Sequence, residues 1–212
     1  MHEEWKPIYT ALVCDIMDQL GHRDQAMSYD IRPSHADAWI AGTAVTLDAY
    51  ENHQEHDDPY GQIFAAYEVA QRGDVFIVAT NGECKSGLWG ELLSTAAKAH
   101  GVESVITDGL VRDVRQMNEM GFNCFSKGYS PLDSAGRIVP ESVNEPILCG
   151  GVQVHPGDFV LADVDGVAVI PASIKDEVFK KAQEKLEGEN TVRDELAAGR
   201  SPREVFDQYG IL

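Results

Sequence analysis

Arg112 and Asp113 stand side by side in the stretch TDGLVRDV, residues 107–114, directly after an apolar run. A guanidinium stays charged at any physiological pH and offers a planar fork of donors suited to a carboxylate or a developing enolate. The neighbouring carboxylate can hold a divalent cation. A cation and an arginine together would polarise a 2-oxo acid from two sides. Upstream, GLWGELL (87–93) offers a second device. If a helix begins at 91, the N–H groups of Glu91, Leu92 and Leu93 are its unsatisfied first-turn donors. With the macrodipole they make a cradle for a carboxylate or phosphate. Gly87 and Gly90 let a ligand come close to the backbone.

Each feature also has a structural reading. Asp113 followed by Gln116 is a D-x-x-Q helix start, so Asp113 serves equally well as an N-cap. Arg112 serves equally well in a surface ion pair worth under ~1 kcal/mol. On pattern alone these readings are the stronger, because short motifs recur by chance.

The elements that would position these residues follow from periodicity. Ile8, Leu12, Ile16 and Leu20 repeat every four residues, predicting an amphipathic helix over 5–20 closed by Gly21. Residues 43–49 read as a strand, 62–71 as a helix, and DVFIVAT (74–80) as a buried strand. Residues 81–90 read as a glycine-bearing loop, 91–100 as a helix, 103–107 as a strand, 114–120 as a short helix and 122–126 as a strand. This rhythm predicts βαβ units and a partly parallel sheet. Ligands then gather beyond the carboxyl ends of the strands. If strands 74–80 and 103–107 are neighbours, both candidate loops open on one edge. Residues 135–171 are β-rich, with HPGD and DVDG as turns. Residues 173–198 form a charged helical segment with few apolar anchors, suited to reaching a neighbouring subunit. Ser201, Pro202, Arg203 and Glu204 spell a capping-box start for a last helix. We therefore expect a core domain at 1–172 and a C-terminal helical extension at 173–212.

The 212-residue chain carries 35 acidic against 17 basic residues, a formal net charge of −18. Such a surface repels phosphate backbones, which argues against direct nucleic-acid binding. It also means that an anion site needs focused positive potential. Cys14, Cys84, Cys124 and Cys149 form no C-x-x-C pair and sit in separate apolar segments. They read as buried free thiols of a reducing, cytoplasmic protein. No signal peptide and no membrane span are expected.

From GDVFIVAT through WGELLSTAAKAHGVESVITDGLVRD to MGFNCFSKGYSP, and again at VHPGDFVLADVDGVAVIP, the chain resembles the family of regulator of ribonuclease activity A and the 4-hydroxy-4-methyl-2-oxoglutarate aldolases, whose members were formerly called demethylmenaquinone methyltransferases. The resemblance implies an α/β fold of the swivelling β/β/α sandwich type, in homotrimers or homohexamers with sites between subunits. It implies a divalent-metal-dependent, class II pyruvate aldolase using Mg²⁺ or Mn²⁺, with oxaloacetate decarboxylase activity. Arg112 then resembles the substrate and enolate arginine, Asp113 the metal ligand, and the amides of Gly90, Glu91, Leu92 and Leu93 the pyruvate carboxylate cradle. The family's acidic residue from the adjacent subunit's C-terminal helix best matches Glu189, followed by Arg193, with Glu187 and Glu195 as competitors. Thr80, Asn81, the long YENHQEHDD segment, and Lys127 before Gly128 depart from the family pattern. They bear on substrate identity more than on metal chemistry.

Other chemistries are weaker. A Schiff base needs a desolvated lysine, and Lys85, Lys98 and Lys127 sit in polar loops or on a solvent-facing helix. His53, His56, Asp57 and Asp58 read as a solvated acidic loop, and His155 as a turn residue. Ser94 and Ser126 lack a matching His/Asp arrangement. Trp89 reads as packing before a site wall. No glycine-rich loop after the first strand supports methyl transfer. The competing function class is a non-catalytic, protein-binding regulator of a ribonuclease on the same fold.

Overall fold

The computed structural model describes residues 2–53, 58–81 and 85–211. In chain order its strands are β1 (Arg32–Pro33), β2 (Ile40–Glu51), β3 (Asp74–Ala79), β4 (Gly87–Trp89), β5 (Ser104–Thr107), β6 (Leu110–Val111), β7 (Asn123–Ser126), β8 (Gly128–Tyr129), β9 (Ile138–Val143), β10 (Ile147–Cys149), β11 (Val152–Val154), β12 (Phe159–Asp163) and β13 (Gly166–Ile170). Its α-helices are α1 (Thr10–Gln19), α2 (Gly61–Val69), α3 (Glu91–Ala99), α4 (Val114–Glu119), α5 (Lys175–Ala197) and α6 (Pro202–Tyr209).

The main sheet runs β1-β7-β5-β3-β2-β12-β13, with β9 also paired to β2. Strands β2, β3, β5 and β7 are mutually parallel, and β1, β9, β12 and β13 pair antiparallel to their neighbours. The parallel strands are buried on both faces, which is why VFIVA and SVIT read as continuous apolar runs rather than as alternating ones. One face packs on α2, α3 and α4 through Phe76, Val78, Val105, Met117 and Phe122. The other face is covered by the β10–β11 hairpin, through Ile147, Val152 and Val154. A third cluster joins α1 and α5 to β12 and β13 around Trp5, Leu12 and Phe159. The fold is the expected mixed α/β sandwich with a C-terminal helix.

Three departures from the sequence reading have clear causes. First, 81–90 and 108–113 are not plain loops. Short strands β4 and β6 pair in parallel, and β6 pairs with β8. The three short strands follow β3, β5 and β7 in the chain, so the three parallel strands feed a second small sheet. Runs of two or three residues are too short to show periodicity. Second, α1 begins at Thr10, after a 3₁₀ turn at Glu3–Trp5. Its first turn is satisfied from afar. Asp163 accepts both the Thr10 amide (2.8 Å) and its hydroxyl (2.7 Å). Third, Ser201 occupies the N-cap position of α6 but makes no side-chain capping bond.

Helix α5 anchors on α1 through Val178 and Ala182, and Val192 is its other buried residue. Among the described residues, no helix is long and apolar enough to cross a membrane. Cys124 and Cys149 are buried free thiols, and Cys14 is half-buried. Burial pushes Cys124 up to about 12 and Cys149 well above its ordinary value, which leaves both unreactive. Cys84 lies outside the described residues.

Candidate functional site

Strands β3 and β5 are adjacent and parallel, so the segments that follow them emerge on one edge of the sheet. The small sheet then locks those segments together. The Arg112 amide donates to the Trp89 carbonyl at 2.9 Å, and the Ser130 amide donates to the Val111 carbonyl at 2.9 Å. Gly87 is required by this closeness. A Cβ there would lie 2.8 Å from the Ser130 carbonyl oxygen and 2.9 Å from Arg112 Cβ.

Asp113 has a left-handed backbone, φ 55° and ψ 31°. Aspartate tolerates this region better than most residues. It stands at the N-cap position of α4, where its carbonyl accepts the Met117 amide at 3.0 Å, yet its side chain makes no capping bond to that helix. Its carboxylate instead turns back toward α3, where Oδ2 accepts the Glu91 amide at 3.3 Å. A Cβ on Gly90 would fall 2.7 Å from Asp113 Oδ2 and 3.0 Å from Arg112 Cγ. The Gly90 turn therefore faces both side chains directly. The first intrahelical bond of α3 is donated by Ser94 to Gly90, so the amides of Glu91, Leu92 and Leu93 are the first-turn donors.

Arg112 Nε lies 3.7 Å from Asp113 Oδ2, and its Nη1 lies 3.3 Å from Asp133 Oδ1. The guanidinium is thus held between two carboxylates and is one-third exposed. Sequence reasoning missed Asp133. Nothing in SPLDSAG announces it, because it reaches the site through tertiary pairing: Asp133 bridges Gly87, and the Gly87 amide donates to the Leu132 carbonyl at 2.9 Å. Arg112 and Asp113 border a cavity of about 290 Å³ whose lining also includes Tyr60, Phe64, Leu92 and Leu93. Tyr60 and Phe64, from the start of α2, also had no signal in the sequence.

Asp108, at the other end of the same stretch, has a different fate. It is buried, and its Oδ1 accepts the Thr80 amide (2.6 Å) and hydroxyl (3.0 Å). Its Oδ2 accepts the Gly150 amide at 3.2 Å. Thr80 thus serves as a donor that stitches β3 to β5.

Glu189 is not near this cavity in its own chain. It lies on α5 against α1, accepting the Tyr9 hydroxyl and pairing with Lys185 at 3.8 Å. It borders a separate groove of about 860 Å³ with Asp15, Arg193 and Phe206. Arg193 donates to Asn190. Of the competitors, Glu195 is engaged by Arg200 and Tyr209, and Glu187 is exposed.

The lysines considered for a Schiff base are placed elsewhere. Lys98 Nζ donates to the Met120 carbonyl, Lys127 pairs with Asp30 at 3.5 Å, and Lys85 is exposed. None is among the described residues that line the cavity. Trp89 is core: it is buried against Phe76 and Phe122, and its indole N–H donates to Ser94 Oγ at 2.9 Å. Ser94 Oγ in turn donates to the Gly90 carbonyl. The His155 amide donates to Asp158, closing the HPGD turn. His53 pairs with Glu51 at 3.1 Å, while His56 and Asp57 lie outside the described residues.

Fold and site together define an α/β protein with an arginine–carboxylate cavity at the carboxyl ends of parallel strands. The chain belongs to the RraA-like family (Aldolase/RraA), whose model matches residues 10–169. It is 29% identical over 182 residues, 86% of this chain and 81% of the relative, to a Halalkalibacterium halodurans protein provisionally named 4-hydroxy-4-methyl-2-oxoglutarate aldolase. The crystal structure of Streptomyces coelicolor RraAS2, described as an unusual member of the RNase ES inhibitor RraA protein family, superposes with a TM-score of 0.79 at 27% identity. That match covers 91% of this chain and 96% of the other. RraA from Thermus thermophilis, described as an RNA-processing inhibitor, gives a TM-score of 0.60 at 26% identity over 75% of this chain and 92% of its own.

Proposed function

We propose that the protein is a divalent-metal-dependent pyruvate lyase that cleaves a 4-hydroxy-2-oxo acid and also decarboxylates oxaloacetate. The observation that carries this reading is the meeting of Arg112, Asp113 and the Gly90–Leu93 turn at one cavity. The provisional aldolase name of the relative supports it.

The donor set suits a hard cation. Among the described residues, no group of three or more His, Cys, Asp or Glu is placed to hold a metal. That does not suit a structural zinc site, which takes four such ligands. A single cavity-lining carboxylate, Asp113, is the ligand type taken by Mg²⁺ or Mn²⁺ that keeps most of its waters and binds through one or two carboxylates plus substrate oxygens. Asp113 would hold that ion, which supplies Lewis-acid polarisation of the 2-oxo group.

The remaining roles fall to the chain itself. The Leu92 and Leu93 amides, with the α3 dipole, orient the substrate carboxylate. Arg112 presents fixed donors to the oxygen that gains charge when the C3–C4 bond breaks and its electron pair moves onto the 2-oxo group as enolate. In oxaloacetate the departing fragment is CO₂, and C3 then takes a proton from water. In an aldol substrate a base must first remove the C4 hydroxyl proton. We assign that base to Glu189 of a neighbouring copy in a trimer or hexamer, since its own-chain position is remote. The C-terminal extension at 173–212 would carry it there, in a cytoplasmic enzyme. Arg112→Ala should abolish both reactions. Glu189→Ala should harm aldol cleavage more than decarboxylation, and equal losses would remove it from the mechanism.

The RNase-inhibitor descriptions of the structural relatives favour one other reading, a protein-binding regulator. Oxaloacetate decarboxylation measured with and without EDTA separates the two. EDTA-sensitive turnover supports the lyase, and no turnover with added Mg²⁺ or Mn²⁺ favours the regulator.

A further inference from the structure

The cavity has two characters. Arg112 and Asp113 make one part polar, while Tyr60, Phe64 and Leu92 give another part a large apolar lining. Phe64 is 56% exposed and Leu92 76% exposed, and the Tyr60 and Phe64 rings lie 6.1 Å apart. Large apolar side chains left in water beside a polar site gain free energy when a ligand covers them, about 25 cal/mol per Å² of apolar surface removed.

Charge points the same way. Arg112 is the only basic side chain among the described lining residues, and it already faces two carboxylates, Asp113 and Asp133. The cluster alone therefore carries one net negative charge. A bound divalent ion would make it singly positive, which one substrate carboxylate and the Glu189 carboxylate assigned to a neighbouring copy together more than offset. A second carboxylate would sit against Tyr60, Phe64 and Leu92 with no basic partner among this chain's described lining residues beyond Arg112, losing hydration without compensation.

We infer that the substrate is a 2-oxo acid with a single carboxylate and a neutral, apolar tail, the tail seated on Tyr60, Phe64 and Leu92. This rests on the pyruvate-lyase reading above. It separates this chain from the substrate in the relative's name, 4-hydroxy-4-methyl-2-oxoglutarate, which has a second carboxylate.

Calorimetric titration in Mg²⁺-containing buffer tests it with three ligands that share one head: pyruvate, 2-oxoglutarate, and 5-methyl-2-oxohexanoate. The last replaces the distal carboxylate of 2-oxoglutarate with an isopropyl group of similar shape. Pyruvate has no tail and is the reference. The apolar ligand should bind at least about tenfold more tightly than 2-oxoglutarate, a difference of about 1.4 kcal/mol. Phe64→Ala should shrink that ratio at least about threefold, and Leu92→Arg should shift it toward 2-oxoglutarate. Both positions are exposed, so neither change threatens the core. If 2-oxoglutarate binds as tightly as the apolar ligand while pyruvate binds, the inference falls and the lyase reading stands. A ratio unmoved by both variants also overturns the inference. If none of the three ligands binds, both fall together.

Discussion

Asp108 and Asp113 are the same residue type, five positions apart on either side of one short strand, yet the fold uses them oppositely. Asp108 is 4% exposed and accepts three hydrogen bonds, from the Thr80 amide, the Thr80 hydroxyl and the Gly150 amide. Asp113 has a side chain 42% exposed, with one long amide bond and one loose arginine contact beside a cavity. A buried carboxylate surrounded by fixed donors is saturated, and nothing is left to bind a ligand. A carboxylate held in place by its backbone but sparsely bonded keeps lone pairs for one. Residue type and spacing mark where charge collects, while the number of donors around each carboxylate decides which one is sealed and which stays open.

Four substitutions test that contrast, beginning with the greatest effect. Asp113→Asn should lower oxaloacetate decarboxylation at least about 100-fold, close to 2.7 kcal/mol of transition-state stabilisation, with a melting temperature within a few degrees of wild type. A large loss of stability would place Asp113 in the scaffold with Asp108. Asp108→Ala should do the reverse. It strands buried donors, each worth about 1–3 kcal/mol, and so should cost about 2 kcal/mol in chemical denaturation. The fraction that remains folded should keep its turnover. Gly90→Ala pushes a Cβ toward Asp113 Oδ2 and Arg112. Both are side chains that can yield, so we expect a kcat/KM about tenfold lower without global unfolding, since a misplaced catalytic group can cost up to about 100-fold. A fully active variant would show that the closeness of turn and carboxylate is incidental.

The smallest effect concerns Glu189, which in its own chain accepts the Tyr9 hydroxyl and pairs with Lys185. Burial, reinforced by the Glu189 carboxylate, raises the Tyr9 hydroxyl to about 12. The folded protein therefore holds this proton more tightly than the unfolded chain, whose tyrosine titrates near ~10. The resulting stability is complete below ~10 and is lost as pH rises from there to about 12. Tyr9→Phe should cost about 1 kcal/mol at neutral pH. Its denaturation curve should converge on that of wild type as pH climbs through the same window. A pH-independent difference would mean that ionisation of Tyr9 is not coupled to folding.

Much of the scaffold is legible in the chain. VFIVA and SVIT are read as strands because a parallel sheet buries both faces, and ELLSTAAKA is read as a helix because its propensities agree along its length. The pairing of G-E-L-L with D-G-x-x-R-D indicates one edge of one sheet once the two strands are taken as neighbours. Asp133 is illegible because it meets Arg112 only through the pairing of its segment with Gly87. Tyr60 and Phe64 are equally hidden. They come from another helix, and an aromatic at the edge of a polar segment looks the same whether it faces a cavity or open water. Asp113 has the residue type and position of a cap, but its left-handed backbone turns the carboxylate toward α3.

The layered α/β class, the order of its main elements, the acidic surface and the two segments offering an arginine and helix-start amides can all be read along the chain. These are consequences of periodicity, propensity and composition, which act within a few neighbouring residues. Only the tertiary structure decided that Asp108 is sealed and Asp113 open, that Asp133 shares Arg112, and that Glu189 stands apart from the cavity in its own chain. Those outcomes depend on which distant backbone amides come within hydrogen-bonding reach of each carboxylate, a property of packed strands and turns that no local pattern encodes.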